Sequence, residues 1–228
     1  MGRRHLQVTP GELALLASAT FVAGSCLALA VALPSAWARL GREDGLVETL
    51  SVFAFLALSV AAVTRILRSP RGARAPSIVM VLVGIFGAGE ELSWGQRVFD
   101  IEPPEFFLTH NAQREFNLHN LVQPPWDAIL GVAVILAFCF SPLWRERSWA
   151  RRLVARGVPW PRAVHLAVLV GCLVAGLAVA ILTGARELEE LGELVFVLTV
   201  GAMWSSEDGV RRPSRARSGP LPETGPRR

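Results

Sequence analysis

Glu90 and Glu91 stand side by side at the end of an apolar run, Ser77 to Ala88, and the chain then reads LSWGQRVFDIEPPEFFLTHNAQREFNLHNL. Carboxylates at the depth such a run implies are unfavourable unless protons, cations or hydrogen-bond donors meet them, so they mark a candidate site. Asn111, Gln113, Glu115, Asn117, His119 and Asn120 then crowd into one short stretch. If that stretch is helical, Glu115 and His119 lie one turn apart and form an acid/base couple or two metal ligands. The alternation with Phe116 and Leu118 equally suits an irregular, half-buried strand.

These residue types define roles. Glu90, Glu115 and His119 are the candidate catalytic acids and bases. Glu91, Ser93, Gln96, Arg97, Asn111, Gln113, Asn117 and Asn120 are candidate substrate contacts, with Arg97 as an anion clamp. Glu90 (or Glu91), Glu115 and His119, joined by Glu193, make an oxygen-rich set with one imidazole. Such a set suits a divalent ion of the Mn, Fe or Mg kind better than structural zinc. The simpler alternative is a buried ion pair between Glu90 and Arg97. For Glu187, Glu189 and Asp127, near helix starts, the helix dipole is explanation enough.

Positioning them requires helices that cross a membrane. The chain has 228 residues, 52% of them hydrophobic, with a mean hydropathy of +0.41 and only 18% charged. Apolar runs of about twenty residues recur, the length needed to span a bilayer. We expect an all-α polytopic protein with six transmembrane spans, about 9–33, 46–67, 77–97, 126–144, 162–183 and 187–205. Thr9, Pro10 and Glu12 supply a capping box and first-turn proline for the first. That run is too long for a signal-peptide core, so a retained helix is expected in spite of the small-x-small site Ala36-Trp37-Ala38. Within the third span, Glu90, Ser93, Trp94 and Arg97 would share one face. Its Gly84, Gly87, Ala88 and Gly89 would offer a small-residue packing surface. Residues 98–125 form an outer polar loop in which Pro103-Pro104 and Phe106-Phe107 predict a short interfacial helix. Residues 206–228, rich in Pro, Gly, Ser and Arg, read as a disordered basic cytoplasmic tail.

Charge sets the orientation. All 23 basic residues are Arg. With the N-terminus inside, 18 of the 23 fall on cytoplasmic segments, which predicts N-in and C-in. The acids do the reverse, gathering at the outer ends, and the positive-inside rule does not account for that. A pI near 10.0 would suit a nucleic-acid binder, but the Arg blocks alternate with apolar runs, and no nucleic-acid partner is expected. Cys26, Cys139 and Cys172 sit in apolar runs and read as packing residues. The sequence has no G-x-S-x-G, H-E-x-x-H or phosphate loop. It also has no convincing repeat of the kind found in inverted-repeat transporters.

The stretch Gly89–Asn120, GEELSWGQRVFDIEPPEFFLTHNAQREFNLHN, resembles an uncharacterised family of bacterial multi-span integral membrane proteins. Its signature is E-E-[I/L]-S-W-G-Q-R followed by N-x-Q-x-E-x-N-L-H-N. The resemblance implies a multi-span helical fold and implies that the polar residues from Glu90 to Asn120 belong together; it supplies no substrate. A looser likeness to ceramidase-type membrane hydrolases rests on acid, Ser and His near one face. The chain lacks their second histidine motif, so the likeness is an analogy.

The expectation is a bacterial inner-membrane protein with a polar pocket at the outer face. That pocket would bind a lipid headgroup, or hydrolyse or transfer a lipid-linked substrate. One alternative is a proton-coupled transporter using Glu48, Glu90, Glu91 and Glu193. Another is an accessory subunit that docks a partner through the polar loop.

Overall fold

The computed structural model describes residues 8–40, 45–111, 113–121, 126–184 and 188–206. Of Gly72, Arg97, His119, residues 126–128, Leu130, Leu188 and Glu189 it describes the backbone alone. Among the described residues the regular elements are all helical: α1 (Pro10–Ala32), α2 (Pro34–Leu40), α3 (Leu46–Arg68), α4 (Ala75–Glu91), α5 (Gln96–Phe99), α6 (Glu105–His110), α7 (Trp126–Trp144), α8 (Ser148–Ala155), α9 (Ala163–Thr183) and α10 (Leu188–Ser205). Residues 207–228, including nearly all of the expected tail, lie outside the described residues.

Among the described residues, three helices are long and apolar enough to cross a membrane: α1, α3 and α9. At 23 residues, α1 extends about 34 Å, slightly more than a hydrocarbon core of about 30 Å. It starts as its sequence dictates. The Thr9 hydroxyl accepts from the Glu12 amide at 3.1 Å, and the Glu12 carboxylate accepts from the Thr9 amide at 3.2 Å. The apolar surface points outward, as expected for a chain solvated by lipid: Phe21 is 74%, Ile181 75% and Leu182 81% exposed.

The last helix is the centre of the bundle. Helix α10 packs against α3, α1 and α9, and α3 packs on its other side against α4. Leu194, Val195, Leu198 and Met203 of α10 meet Ala54, Leu58, Ala61 and Ala62 of α3 and Ala19 and Ala23 of α1 in the buried core. Small residues on the partners permit the close approach. The tightest contact is at Gly84, where a Cβ would run into Ser59 Oγ and lie 2.6 Å from the Phe55 carbonyl. There the Ser59 hydroxyl donates to the Val81 carbonyl at 3.2 Å, across α3 and α4. Helix α7 touches α10 through Phe138 and Phe196, edge to face at 5.6 Å.

The bundle has two chemically different ends. One gathers the starts of α1 and α9 and the ends of α3 and α10. Thr9 Oγ1 donates to the Ser205 carbonyl at 3.0 Å, and the Arg65 guanidinium donates to the carbonyls of Gly157 (3.1 Å) and Ser206 (2.7 Å). The other gathers the starts of α3 and α10 and the end of α4, which carry Glu48, Glu190, Glu193, Glu90 and Glu91.

Two expectations need correction. The third helix does not run to Arg97. It stops at Glu91, and Ser93 (φ 45°), Trp94 (φ 53°) and Gly95 (φ 84°) turn left-handed before the single turn of α5. Left-handed backbone in three successive residues cannot continue a right-handed helix. The segment between the expected spans 126–144 and 162–183, to which the sequence assigns no element, contains the amphipathic α8. The short helix after Pro103-Pro104 is present as α6, Glu105–His110.

Candidate functional site

The break after α4 brings a distant segment onto the helix end. Because the chain reverses at Trp94, its indole swings back and donates to Glu90 Oε1 at 2.6 Å. Glu90 Oε2 accepts from the backbone amide of Leu118 at 2.5 Å. Glu90 is 6% exposed. It therefore acts as the peg that pins residues 111–121 to α4, and charge-assisted bonds of this kind are among the stronger ones available. Gln96 adds a second peg, its Oε1 accepting from the Phe116 amide at 2.6 Å.

The pinned segment is neither helix nor strand before His119. Asn111 organises it. Its side-chain oxygen accepts from the amides of Gln113 (2.9 Å) and Glu115 (3.3 Å), an Asx turn that leaves Arg114 left-handed at φ 58°. Its Nδ2 donates to Asn117 Oδ1 (2.7 Å) and to the Asn117 carbonyl (2.9 Å). Asn117 is buried and donates to Glu115 Oε2 at 2.9 Å and to Ser93 Oγ at 3.2 Å. Ser93 Oγ in turn donates to Glu115 Oε2 at 2.6 Å. Asn120 Nδ2 donates to Gln113 Oε1 at 2.5 Å. Phe107 of α6 closes the unit, edge to face with Phe116 at 4.9 Å.

Eight of the expected residues, Glu90, Ser93, Gln96, Asn111, Gln113, Glu115, Asn117 and Asn120, thus form one hydrogen-bonded unit. Neither the helix nor the irregular strand forms at the described residues 111 and 113–118, so the Glu115–His119 spacing is not a helical one. Ser93 has no exposed surface, and its hydroxyl holds Glu115 in place. Gln96, Gln113, Glu115 and Asn120 are only partly covered and form the accessible rim. The side chains of Arg97 and His119 lie outside the described atoms.

Next to this unit the acids converge. Glu91, 9% exposed, feels the charges of Glu193, Glu190, Glu48 and Glu90, which come from α10, α3 and its own helix. Among the described residues, no group of three or more His, Cys, Asp or Glu is close enough to hold one metal ion. Glu90, Glu115 and Glu193 therefore do not gather around a single ion as the expected ligand set requires. Glu90 is held by Trp94 and Leu118, while Glu193 comes from α10.

The opposite end holds a cluster that reading the sequence missed. Glu12 and His165 have no exposed surface. Glu12 Oε1 pairs with the Arg162 guanidinium and lies 2.9 Å from His165 Nε2. His165 Nδ1 accepts from the Arg162 amide at 3.0 Å, which leaves Nε2 to carry the proton toward Glu12. Glu12 therefore does more than cap α1: it ties α1 to α9. The available signal was an acid among the Arg-rich segments together with a histidine at the start of an apolar run, but the capping box explained Glu12 by itself. No family model, curated protein or solved structure matches the chain.

Proposed function

We propose that the chain is a six-span protein of a bacterial cytoplasmic membrane, with both termini inside, whose outer end binds the polar headgroup of a lipid or lipid-linked substrate. The observation that carries this reading is the hydrogen-bonded unit of Glu90, Ser93, Asn111, Glu115 and Asn117, with its partly covered rim of Gln96, Gln113 and Asn120, at the bundle end where α3, α4 and α10 carry Glu48, Glu91, Glu190 and Glu193. Carboxylates favour an amine-bearing headgroup, and the amides suit its hydroxyl or carbonyl groups. The likeness of residues 89–120 to a bacterial membrane family supports the setting. The alternation of helix starts and ends between the two bundle ends supports six spans. The Arg-rich blocks at one end support the orientation.

If the bound lipid is also cleaved or transferred, Glu115 is the base, His119 the acid/base partner and Arg97 the clamp for an anionic group. A transport path is less well supported. Between the acidic end and Arg65 lie Ala54, Leu58, Ala62, Leu194 and Leu198, all buried and apolar. The hydroxyls at that depth turn to backbone carbonyls, Ser59 to Val81 and Thr199 to Val195.

The test uses the full chain, purified in detergent, and scores retained lipids by native mass spectrometry. The expected result is preferential retention of phosphatidylethanolamine over phosphatidylcholine. It should be weakened about tenfold in Glu91→Gln and in Glu115→Gln, the scale of one hydrogen bond to a charged group. Equal retention of the two lipids by the wild type, or unchanged retention in both variants, would remove the reading.

A further inference from the structure

Helix α8 was not foreseen as an element, and its two faces differ. Ala150, with no exposed surface, and the half-buried Leu153 and Val154 face the bundle. The next turn is anchored: the Gly157 carbonyl accepts from Arg65 at 3.1 Å, and a Cβ at Gly157 (φ 96°) would lie 2.5 Å from the Ala73 carbonyl. Trp149, Arg152 and Arg156 follow a spacing of three and four, so they share one outward stripe. All three are exposed, as are Arg145 and Arg147 just before the helix. Between Trp144 and Arg162 the chain has five arginines and a single acid, Glu146, which is 87% exposed and lies 3.9 Å from Arg151.

The aromatic rings show where this charge lies. Trp149, 43% exposed, sits 6.2 Å from Trp144 and 6.1 Å from Trp160. Trp144, 38% exposed, ends α7 and adjoins Leu143, which is 72% exposed. The arginine stripe is therefore continuous, through two half-exposed tryptophans, with the outward apolar surface of α7. A surface that met water or an acidic protein would need no such continuity. Tryptophan favours the boundary between acyl chains and headgroups, and arginine beside it reaches the phosphate level.

We propose that Trp144 and Trp149 with Arg145, Arg147, Arg152 and Arg156 form a docking surface for anionic phospholipid headgroups in the leaflet at the Arg-rich end. The surface holds α8 flat in the interface and fixes the depth of the bundle. It requires α7 and α9 to lie in the bilayer. It does not require the headgroup site proposed at the acidic end, which can fail separately.

The experiment reconstitutes the full chain in vesicles of phosphatidylcholine with or without phosphatidylglycerol. Spin-labelled versions of the two lipids report, by electron paramagnetic resonance, how much of each is motionally restricted at the protein. Wild type should restrict phosphatidylglycerol preferentially, and added salt should reduce the preference. Each of Arg152→Gln and Arg156→Gln should weaken it about fivefold, the scale of one basic residue near an anionic surface. The paired Lys variants should keep most of it, and they carry the test with the salt titration if the Gln variants do not fold. Equal restriction of both lipids by the wild type, a preference insensitive to salt, or Gln variants that fold and keep the full preference would overturn the proposal.

Discussion

Glu90 and Asn117 matter because both are nearly buried and each holds more than one partner. Glu90 takes the Trp94 indole on one oxygen and the Leu118 amide on the other. Glutamine there presents an amide group to one of two donors and loses that bond. We expect Glu90→Gln to loosen residues 111–121 while the helices persist, seen as faster hydrogen exchange at the Leu118 amide. Unchanged exchange at that amide would contradict the pinning role. Asn117 joins Asn111, Glu115 and Ser93. Asn117→Leu takes one hydrogen bond from each of those groups, at about 1 kcal/mol each. Its thermal midpoint in detergent should fall clearly below that of the exposed control Arg114→Gln, and equal midpoints would argue against the network.

At the level of helices, two contacts govern how the site is presented. The first is Gly84, where α3 and α4 meet with no room for a methyl group. Gly84→Ala must separate the helices or displace Ser59, and overpacking of this kind costs about 1–3 kcal/mol. Since α3 carries Glu48 and α4 carries Glu90 and Glu91, this variant should weaken headgroup retention as well as lower the thermal midpoint. A variant matching wild type in both would show that the contact is not needed. The second is the tie between α1 and α9. Glu12→Ala leaves Arg162 and His165 without their carboxylate in a buried setting, a loss of about 3–5 kcal/mol when one partner of a buried pair is removed. The expected outcome is poor recovery of monodisperse protein, read by size-exclusion chromatography. Wild-type recovery would show that the pair is dispensable.

Considered whole, the molecule separates its charges between two ends. Along α3, Glu48 and Arg65 are 17 residues apart, about 25 Å at helical rise. Apolar packing fills the interval. One end thus carries carboxylates and amides, and the other carries arginines. Orientation is testable in cells by fusing an alkaline phosphatase reporter after Ser206 and, separately, inserting it in the loop 100–104. Phosphatase activity is expected only from the loop fusion. Activity from the C-terminal fusion would reverse the orientation.

The sequence by itself determined the all-helical class and the long apolar helices, the uneven placement of charge and the identity of the polar stretch. Each rests on information held within a few residues. The capping box at Thr9–Glu12 and the start of α6 after Pro103-Pro104 are local hydrogen-bonding and steric facts, and the apolar runs follow from composition. Only the tertiary structure decided which acids meet, because carboxylates on α3, α4 and α10 carry no local mark of their neighbours. The same holds for Glu12 and His165, whose pairing depends on α1 lying against α9. The early end of α4 was also hidden. Ser93 and Trp94 are non-glycine residues in left-handed backbone, a conformation that sequence preference opposes. It persists because Trp94 returns to Glu90 and Ser93 is held against Glu115.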